Sequence, residues 1–199
     1  AGEEYWLTPT FDVRYEGEIH RNDLGDLTPS LDVLDYPDRK ILYDADPRMG
    51  TLGTKYFLAT RGCPYKCSYC FNVKYNEQYK GKGKIIRSRT VRQVIDEIKW
   101  VRERYPLDHV SFSDDLFILK PRGWLIEFCK VYKEEIGLAW SCTVRANVTT
   151  LGGEQTIAML SDAGLRWVWL GVECGDQKVS DEILARGLTN EEIIKATAL

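Results

Sequence analysis

The chain has 199 residues, of which 44% are hydrophobic and 29% are charged, with a formal net charge of −3. This composition is typical of a folded globular domain and excludes a disordered chain. The small net charge gives no reason to expect binding to nucleic acid or to a membrane surface. No apolar run approaches the ~18 residues of a membrane helix. Because the chain begins at Ala1 and ends at Leu199 within a helical pattern, we expect a segment of a longer protein.

Residues 1–55 are predicted to form an irregular lead-in. They carry twelve acidic and six basic residues and are rich in proline, glycine, asparagine and aspartate, which favour turns. The sequence indicates one element here, a hairpin over residues 11–20, in which polar and apolar residues alternate across a Glu16–Gly17 turn. We therefore predict a lead-in over residues 1–55 and a core over residues 56–199.

In the core, short apolar runs alternate with amphipathic segments. The apolar runs are rich in β-branched and aromatic residues, which is typical of strands buried on both faces of a parallel sheet. Predicted strands cover residues 56–60, 110–113, 139–144 and 167–172. Predicted helices cover residues 90–104, 121–136, 153–163 and 177–186, and Thr189 and Glu192 form the capping box of one more.

This alternation predicts an α/β fold, either a doubly wound sheet or a barrel. Four βα units occupy residues 56–199, whereas a complete eight-unit barrel takes roughly 250 residues. The core is therefore long enough for a partial (β/α) TIM-type barrel of about four units, preceded by the lead-in.

The six cysteines fall into two groups. Cys63, Cys67 and Cys70 lie within eight residues, spaced C-x3-C-x2-C, in a loop that follows the first predicted strand. The others stand singly in apolar segments, at Cys129, Cys142 and Cys174. Disulfide frameworks belong to small secreted domains with little core, so we expect free thiols and a reducing compartment, the cytoplasm.

The clustered cysteines have the chemistry of an iron–sulfur site. Thiolates hold iron–sulfur clusters, and a cubane of four irons ordinarily takes four of them. Three cysteines in one loop would leave one iron with an open position for another ligand, as three-ligand zinc sites leave a position open for catalysis. Gly62 and Pro64 would help the backbone wrap closely around a bulky inorganic core.

This loop resembles the signature of the radical S-adenosylmethionine superfamily, C-x3-C-x-aromatic-C, with Tyr69 at the aromatic position. The wider stretch RGCPYKCSYCFN is similar to the cobalamin (B12)-binding class of that superfamily. Further similar segments are residues 31–39, 80–84, 113–117, 144–150 and 171–176. The resemblance covers essentially the whole chain from Tyr56 onward.

The resemblance implies an enzyme in which Cys63, Cys67 and Cys70 hold a [4Fe-4S] cluster and S-adenosylmethionine binds the fourth iron. It implies an external electron donor of the flavodoxin or ferredoxin type, and cleavage of S-adenosylmethionine to methionine and a 5′-deoxyadenosyl radical. Relatives in the cobalamin class commonly methylate unactivated carbon, and others rearrange rings or add sulfur. If cobalamin is used, its binding domain must precede residue 1, because the chain carries no D-x-H-x-x-G motif.

Polar groups follow every predicted strand, where functional groups gather in α/β barrels and at the switch points of open sheets. By the resemblance, Asp114 and Asp115 would hold the amino group of S-adenosylmethionine, and Glu173 would contact its ribose or amino-acid part. Arg145 would be costly to bury without an anion, either the methionine carboxylate or one of the aspartates. Gly171 is expected to let the backbone approach the nucleoside closely.

Structural roles remain open for several of these residues. The aspartates would also suit a helix N-terminus, and Arg145 a structural ion pair. Cys174 stands where most relatives carry serine, and it is either a packing residue or a group facing the cavity. The basic run of residues 80–92 is expected to be a solvated loop, although it could also receive phosphate. Tryptophans expected to pack core or barrel surfaces are Trp100, Trp124, Trp140, Trp167 and Trp169.

A second function also remains open, a zinc-binding structural or nucleic-acid-binding module. The three cysteines would then borrow a distant fourth ligand, such as His109 or Cys142. Compact zinc sites usually present their ligands in two close pairs, and the aromatic residues here fall away from the basic run. We therefore favour the enzyme and expect neither a nucleic-acid nor a membrane partner. The sequence does not identify the substrate.

Overall fold

The structure, a computed structural model, describes residues 4–147 and 152–199. The lead-in contains a hairpin of two strands, β1 and β2, followed by two short helices, α1 and α2. They cover Val13–Tyr15, Glu18–His20, Arg39–Ala45 and Pro47–Thr51. The hairpin turns at Glu16 and Gly17, whose φ values of 50° and 88° suit a tight turn that matches the twist of the strands.

From residue 54 onward, strands alternate with helices. Strands β3 to β8 cover Thr54–Phe57, Thr60–Arg61, Arg87–Ser88, His109–Phe112, Ala139–Val144 and Leu165–Leu170. Helices α3 to α7 cover Phe71–Gln78, Val91–Arg102, Arg122–Glu135, Gly153–Asp162 and Asn190–Thr197, and a π-helical turn covers Val179–Ile183. Strands β3, β6, β7 and β8 form one parallel sheet in that order, and β4 pairs antiparallel with β5.

The α/β class and the four βα units are therefore confirmed. The spatial order of the parallel strands follows their order along the chain, which is the arrangement of successive units in a (β/α) barrel. A doubly wound sheet would instead reverse its strand order near the middle. Between the two architectures that the sequence left open, the strand order selects the partial barrel.

Three predicted elements differ most from the structure. The first parallel strand ends at Phe57 rather than Thr60, because the Ala59 N–H leaves the sheet and donates to the Asp114 carboxylate at 3.1 Å. The last strand is Leu165–Leu170 rather than 167–172. Residues 177–186 form only the π-helical turn, in which the Leu184 N–H donates to the Val179 carbonyl at 3.0 Å.

The core lies between the sheet and the helices. Its centre is a set of almost fully buried rings whose centroids lie 4.7 to 5.9 Å from their neighbours in edge-on or tilted contacts. These rings belong to Phe112, Phe117, Phe128, Tyr132 and Trp140. Trp100 and Trp124 pack against the same core, as expected. Trp167 and Trp169 instead lie on the opposite face of the sheet, where they are 58% and 65% exposed.

A buried ion cluster joins the lead-in to the core. Glu97 of α4 is 1% exposed and accepts hydrogen bonds from Arg39 at 2.9 Å and from Arg89. The same two arginines donate to carbonyls at the end of β3, Arg39 to Tyr56 at 2.8 Å and Arg89 to Leu58, one residue beyond the strand, at 3.1 Å. Arginine side chains therefore satisfy two carbonyl groups at the edge of the sheet, where no further strand pairs with β3 in the described residues.

Several members of the basic run 80–92 also have structural roles. Arg87 is buried and donates to the Thr28 carbonyl at 3.2 Å, and Lys82 donates to the Leu24 carbonyl at 2.6 Å. The expectation of a simple solvated loop is therefore wrong for these residues, because they bind backbone carbonyls of the lead-in. In the described part of the chain, none of the helices is both long and apolar enough to cross a lipid bilayer.

Replacing Phe128 by alanine should lower the free energy of unfolding by about 3–5 kcal/mol, because it opens a cavity among the buried rings. Ile126, on the same helix but 49% exposed, is the matched control, and its replacement by alanine should cost less than about 1 kcal/mol. Urea titration followed by circular dichroism measures both values. Equal losses would contradict the placement of the core.

Candidate functional site

The cysteine loop connects β4 to α3, and its backbone is tightly constrained. Gly62 has φ 94°, and a Cβ at this position would overlap the carbonyl oxygen of Ile85. Farther along, the Cys70 N–H donates to the Cys67 carbonyl at 3.0 Å, and Cys70 is the N-cap residue of α3. The loop therefore has one course, which fixes where its three thiols lie.

One cavity gathers the three thiols at the carboxyl ends of the parallel strands. Cys63, Cys67 and Cys70 line a space of about 150 Å³. The other lining residues are Tyr65, Asn72, Asp115, Leu116, Thr143, Val144, Arg145, Gly171, Glu173 and Arg186. They come from the cysteine loop, from the start of α3 and from the segments that end or follow β6, β7 and β8. The ends of the strands are the position of functional groups in α/β barrels.

The cavity brings together seven of the nine site residues proposed from the sequence, namely Cys63, Cys67, Cys70, Asp115, Arg145, Gly171 and Glu173. Tyr69 and Asp114 do not line it. The Tyr69 hydroxyl accepts a hydrogen bond from Arg186 beside the cavity, and its side chain is about half exposed. Burial raises the pKa of Tyr69, against the opposing effect of the Arg186 contact.

Asp114 is engaged in a fully buried ion pair. Its Oδ1 lies 3.1 Å from Lys120 Nζ, and its Oδ2 accepts the Ala59 N–H at 3.1 Å. The Lys120 ammonium also lies 3.7 Å from the centroid of the Phe117 ring. Burial lowers the pKa of Lys120, and the charge of Asp114 opposes that shift. Asp114 therefore binds the backbone that leads into the cysteine loop.

Asp115 holds both ends of the cysteine loop. Its Oδ2 accepts the Gly62 N–H at 3.2 Å, and its Oδ1 accepts the Asn72 side-chain amide at 2.9 Å. A carboxylate has about four acceptor positions, so two remain for another donor in the cavity. Asp115 can therefore support the loop and still bind a cationic group.

Arg145 is the least satisfied charged group of the cavity. It is 7% exposed, and its guanidinium carbon stacks 3.8 Å from the centroid of the Tyr65 ring. Its Nε and Nη2 are buried without a hydrogen-bond partner among the described residues. Neither Asp114 nor Asp115 pairs with it, so within residues 4–147 and 152–199 the structural ion pair left open by the sequence is not formed. Buried cationic donors of this kind suit an anionic ligand.

Arg186 is a site residue that the sequence reasoning missed. It is 7% exposed, donates to Tyr69 and to the Gly171 carbonyl, and lies 3.5 Å from Glu173 Oε1. It follows Ala185, whose φ of 48° ends the π-helical turn. In the sequence, Arg186 is a charged residue directly before Gly187, and the helix predicted over residues 177–186 included it as its last residue.

The cysteine donors match the chemistry of an iron–sulfur cluster. Burial raises the pKa of the Cys63 thiol, and a hydrogen bond from the Tyr65 backbone opposes this effect. A bound cation would therefore be needed to hold Cys63 as thiolate.

All six cysteines of the chain are free thiols. Half-buried Cys174 does not line the cavity, and its sulfur accepts the Asp176 N–H at 3.4 Å.

The two candidate fourth ligands for zinc lie elsewhere. His109 begins β6, at the end of the sheet opposite the cysteine loop, and its Nε2 lies 2.9 Å from Ser141 Oγ. Cys142 is fully buried in the core. Within residues 4–147 and 152–199, no three His, Cys, Asp or Glu side chains are arranged to hold a single metal ion. Neither His109 nor Cys142 is therefore placed to be the fourth ligand of a zinc ion at the cysteine loop.

Comparison with known protein families identifies the class. The Radical SAM superfamily matches residues 57–199, which is most of the chain and contains every residue of the cavity. The chain belongs to this superfamily of enzymes. The resemblance inferred from the cysteine loop is thereby confirmed.

Curated relatives are similar to this chain at low identity. An uncharacterized methyltransferase of Pyrococcus horikoshii is 24% identical over 181 residues, covering 90% of this chain and 37% of that protein. The cytidylyl-2-hydroxyethylphosphonate methyltransferase of Streptomyces wedmorensis is 27% identical over 149 residues, covering 75% and 25%. The anaerobic magnesium-protoporphyrin IX monomethyl ester cyclase of Rubrivivax gelatinosus is 28% identical over 162 residues, covering 81% and 26%. The matched part of the chain thus spans only 25–37% of their length.

Two solved structures share the fold. The cobalamin-dependent S-adenosylmethionine radical enzyme OxsB, solved with aqua-cobalamin and S-adenosylmethionine bound, superposes with a TM-score of 0.68 and 19% identity. The match covers 92% of this chain and 26% of OxsB. Methylornithine synthase (PylB) superposes with a TM-score of 0.52 and 16% identity, covering 84% and 49%. At these identities the superpositions establish the fold alone.

Replacing Lys120 by methionine should destabilise the protein by about 3–5 kcal/mol, because it leaves the Asp114 carboxylate buried without its cation. Lys133 is the matched control, since its ion pair with Asp162 lies on the surface, and Lys133→Met should cost at most about 1 kcal/mol. Denaturant unfolding at neutral pH measures the difference. A Lys120→Met variant as stable as the parent would refute the structural role of this pair.

Proposed function

We propose that this chain binds a [4Fe-4S] cluster through Cys63, Cys67 and Cys70 and cleaves S-adenosylmethionine reductively. One observation carries the proposal. The three cysteines of the superfamily signature share a cavity with Arg145, whose buried Nε and Nη2 have no partner in the described part of the chain. Soft thiolate donors suit iron–sulfur clusters, and unsatisfied guanidinium donors suit a carboxylate.

The donor set supports a cluster over a single ion. The three thiols line one cavity, yet they are not arranged, with or without other described residues, to hold one metal ion. In a cubane each cysteine binds a different iron, so its ligands need not converge on one point. When bound and reduced, such a cluster supplies the electron that breaks the sulfur–carbon bond of S-adenosylmethionine.

The remaining cavity residues account for the polar groups of S-adenosylmethionine. Arg145 binds the methionine carboxylate, and Asp115 accepts hydrogen bonds from the amino group through its free acceptor positions. Glu173 accepts from the ribose or amino-acid part. A Cβ at Gly171 would lie 2.7 Å from Glu173 Oε1, so the glycine leaves room for the Glu173 side chain at this position. Arg186 donates a hydrogen bond to the Gly171 carbonyl and lies near Glu173, and it therefore holds these two residues in place.

We further propose that the reaction class is methyl transfer assisted by cobalamin, with the corrinoid held outside these 199 residues. Two curated relatives are named methyltransferases, and OxsB is described as cobalamin-dependent. An external donor of the flavodoxin or ferredoxin type would supply the electron. The alternative function is a zinc-binding structural or nucleic-acid-binding module. Analysis of iron, sulfide and zinc after anaerobic reconstitution separates it from the enzyme.

Anaerobic reconstitution should give a brown protein with about four irons and four sulfides per chain, as a cubane requires. Cys70→Ala should lose most of that colour and all reductive cleavage of S-adenosylmethionine, because one thiolate ligand is gone. Cys174→Ser, outside the cavity, should retain both. One tightly bound zinc without sulfide in the parent would instead favour the module, and a fully loaded Cys70→Ala variant would contradict the ligand assignment.

Arg145→Met should weaken binding of S-adenosylmethionine by about tenfold or more, since a hydrogen bond to a charged group is worth ~1.5–3 kcal/mol. Equilibrium dialysis against the reconstituted, oxidised protein measures the affinity without turnover. Arg166→Met is the control, because Arg166 donates to backbone carbonyls of Ser161 and Leu165 away from the cavity. Unchanged affinity in Arg145→Met would exclude this residue as the carboxylate partner.

A further inference from the structure

Asn72 is a buried amide that lines the cysteine cavity and, besides its bond to Asp115, lies next to a cysteine sulfur. It lies in the first turn of α3, two residues after Cys70, and is 3% exposed. Its Nδ2 lies 3.6 Å from Cys70 Sγ, within reach of an N–H···S hydrogen bond, and 2.9 Å from Asp115 Oδ1. A side-chain amide has two N–H groups, so it can donate to both acceptors.

The orientation of this amide is set by its neighbours. Ionised Asp115 can only accept hydrogen bonds, so the nitrogen of Asn72, and not its oxygen, must face it. Asp115 is itself held by the Gly62 N–H at 3.2 Å. A flipped amide would place its carbonyl oxygen against the carboxylate and the sulfur. One N–H group is therefore directed at Asp115 and the other at Cys70 before any ligand binds.

We propose that Asn72 is a positioning residue that raises the reduction potential of the cluster by donating an N–H to the Cys70 thiolate. This inference rests on the function proposed above. Hydrogen bonds to ligand sulfurs and the surrounding shell of groups tune the potentials of iron–sulfur clusters. A donor aimed at the sulfur withdraws electron density and stabilises the more negative, reduced state. Asn72 thereby favours acceptance of the electron that the cleavage consumes.

The chain offers a matched control one helical turn away. Asn76 also lies on α3 beside the loop, and its Nδ2 donates to the Cys63 backbone carbonyl at 2.9 Å. Both asparagines tie α3 to the cysteine loop, but only the bond of Asn72 ends on a sulfur atom. A purely structural role would thus affect both variants alike, whereas tuning of the potential is specific to Asn72.

The test compares the parent, Asn72→Leu and Asn76→Leu, each reconstituted anaerobically with iron and sulfide and assayed for both. Each protein is then titrated with titanium(III) citrate without S-adenosylmethionine, and the reduced cluster is followed by electron paramagnetic resonance. Asn72→Leu should keep its cluster and show about a tenfold lower equilibrium constant for reduction, ~59 mV for a one-electron couple. Asn76→Leu should shift by less than half of that. An unchanged potential in Asn72→Leu, or an equal shift in both variants, would overturn the inference.

A second variant guards against misfolding. If Asn72→Leu holds no iron, Asn72→Ala is titrated in its place, and the same negative shift is expected. Loss of iron from both Asn72 variants but not from Asn76→Leu overturns the inference, because the amide is then needed for assembly and not for the potential. A parent that binds no iron or sulfide refutes the proposed function, whereas a loaded parent with an unchanged Asn72 variant refutes this inference alone.

Discussion

Two adjacent carboxylates at the end of β6 hold the chain at the point where it leaves β3, and the geometry of the site depends on them. Asp114 takes the Ala59 N–H and Asp115 takes the Gly62 N–H, three residues farther on. Without these acceptors the N–H groups of Ala59 and Gly62, which lie on either side of the short pairing of β4 with β5, would lose their partners. Lys120, buried with Asp114, neutralises one of the two charges.

The sequence predicted the architecture because hydrophobic periodicity reports local burial. It also predicted the cysteine loop, because the spacing of its ligands is local. It did not separate the roles of Asp114 and Asp115. That separation depends on the course of the backbone after β6 and on Lys120, which becomes a partner only in three dimensions. Arg186 was missed for the same reason, since its contacts lie on Tyr69 and Gly171, far away in sequence. The sequence also did not show that Trp167 and Trp169 lie on the exposed face of the sheet, away from the helices. Which face a strand residue occupies depends on how the strand pairs, and residue type alone does not determine it.

Several charged side chains attach the lead-in to the core. The acidic lead-in and the basic run that precedes α4 are joined by specific bonds, including the contacts of Arg87 and Lys82 with lead-in carbonyls. Glu97 gathers one arginine from each segment in a buried cluster. Such clusters are costly to bury and costly to break, so they fix one relative placement of the two segments more than they add stability. The outer strand that precedes the cysteine loop is thereby covered.

Gly62 shows how a residue without functional atoms can govern a reactive centre. Its left-handed backbone and its closeness to the Ile85 carbonyl exclude a side chain of any kind. A variant altered only at this position would retain all three cysteines of the loop, but the backbone that carries them would have to take a different course. Surveys of natural variants that inspect the three cysteines alone would class such a chain as intact, although the positions of its thiols would have changed.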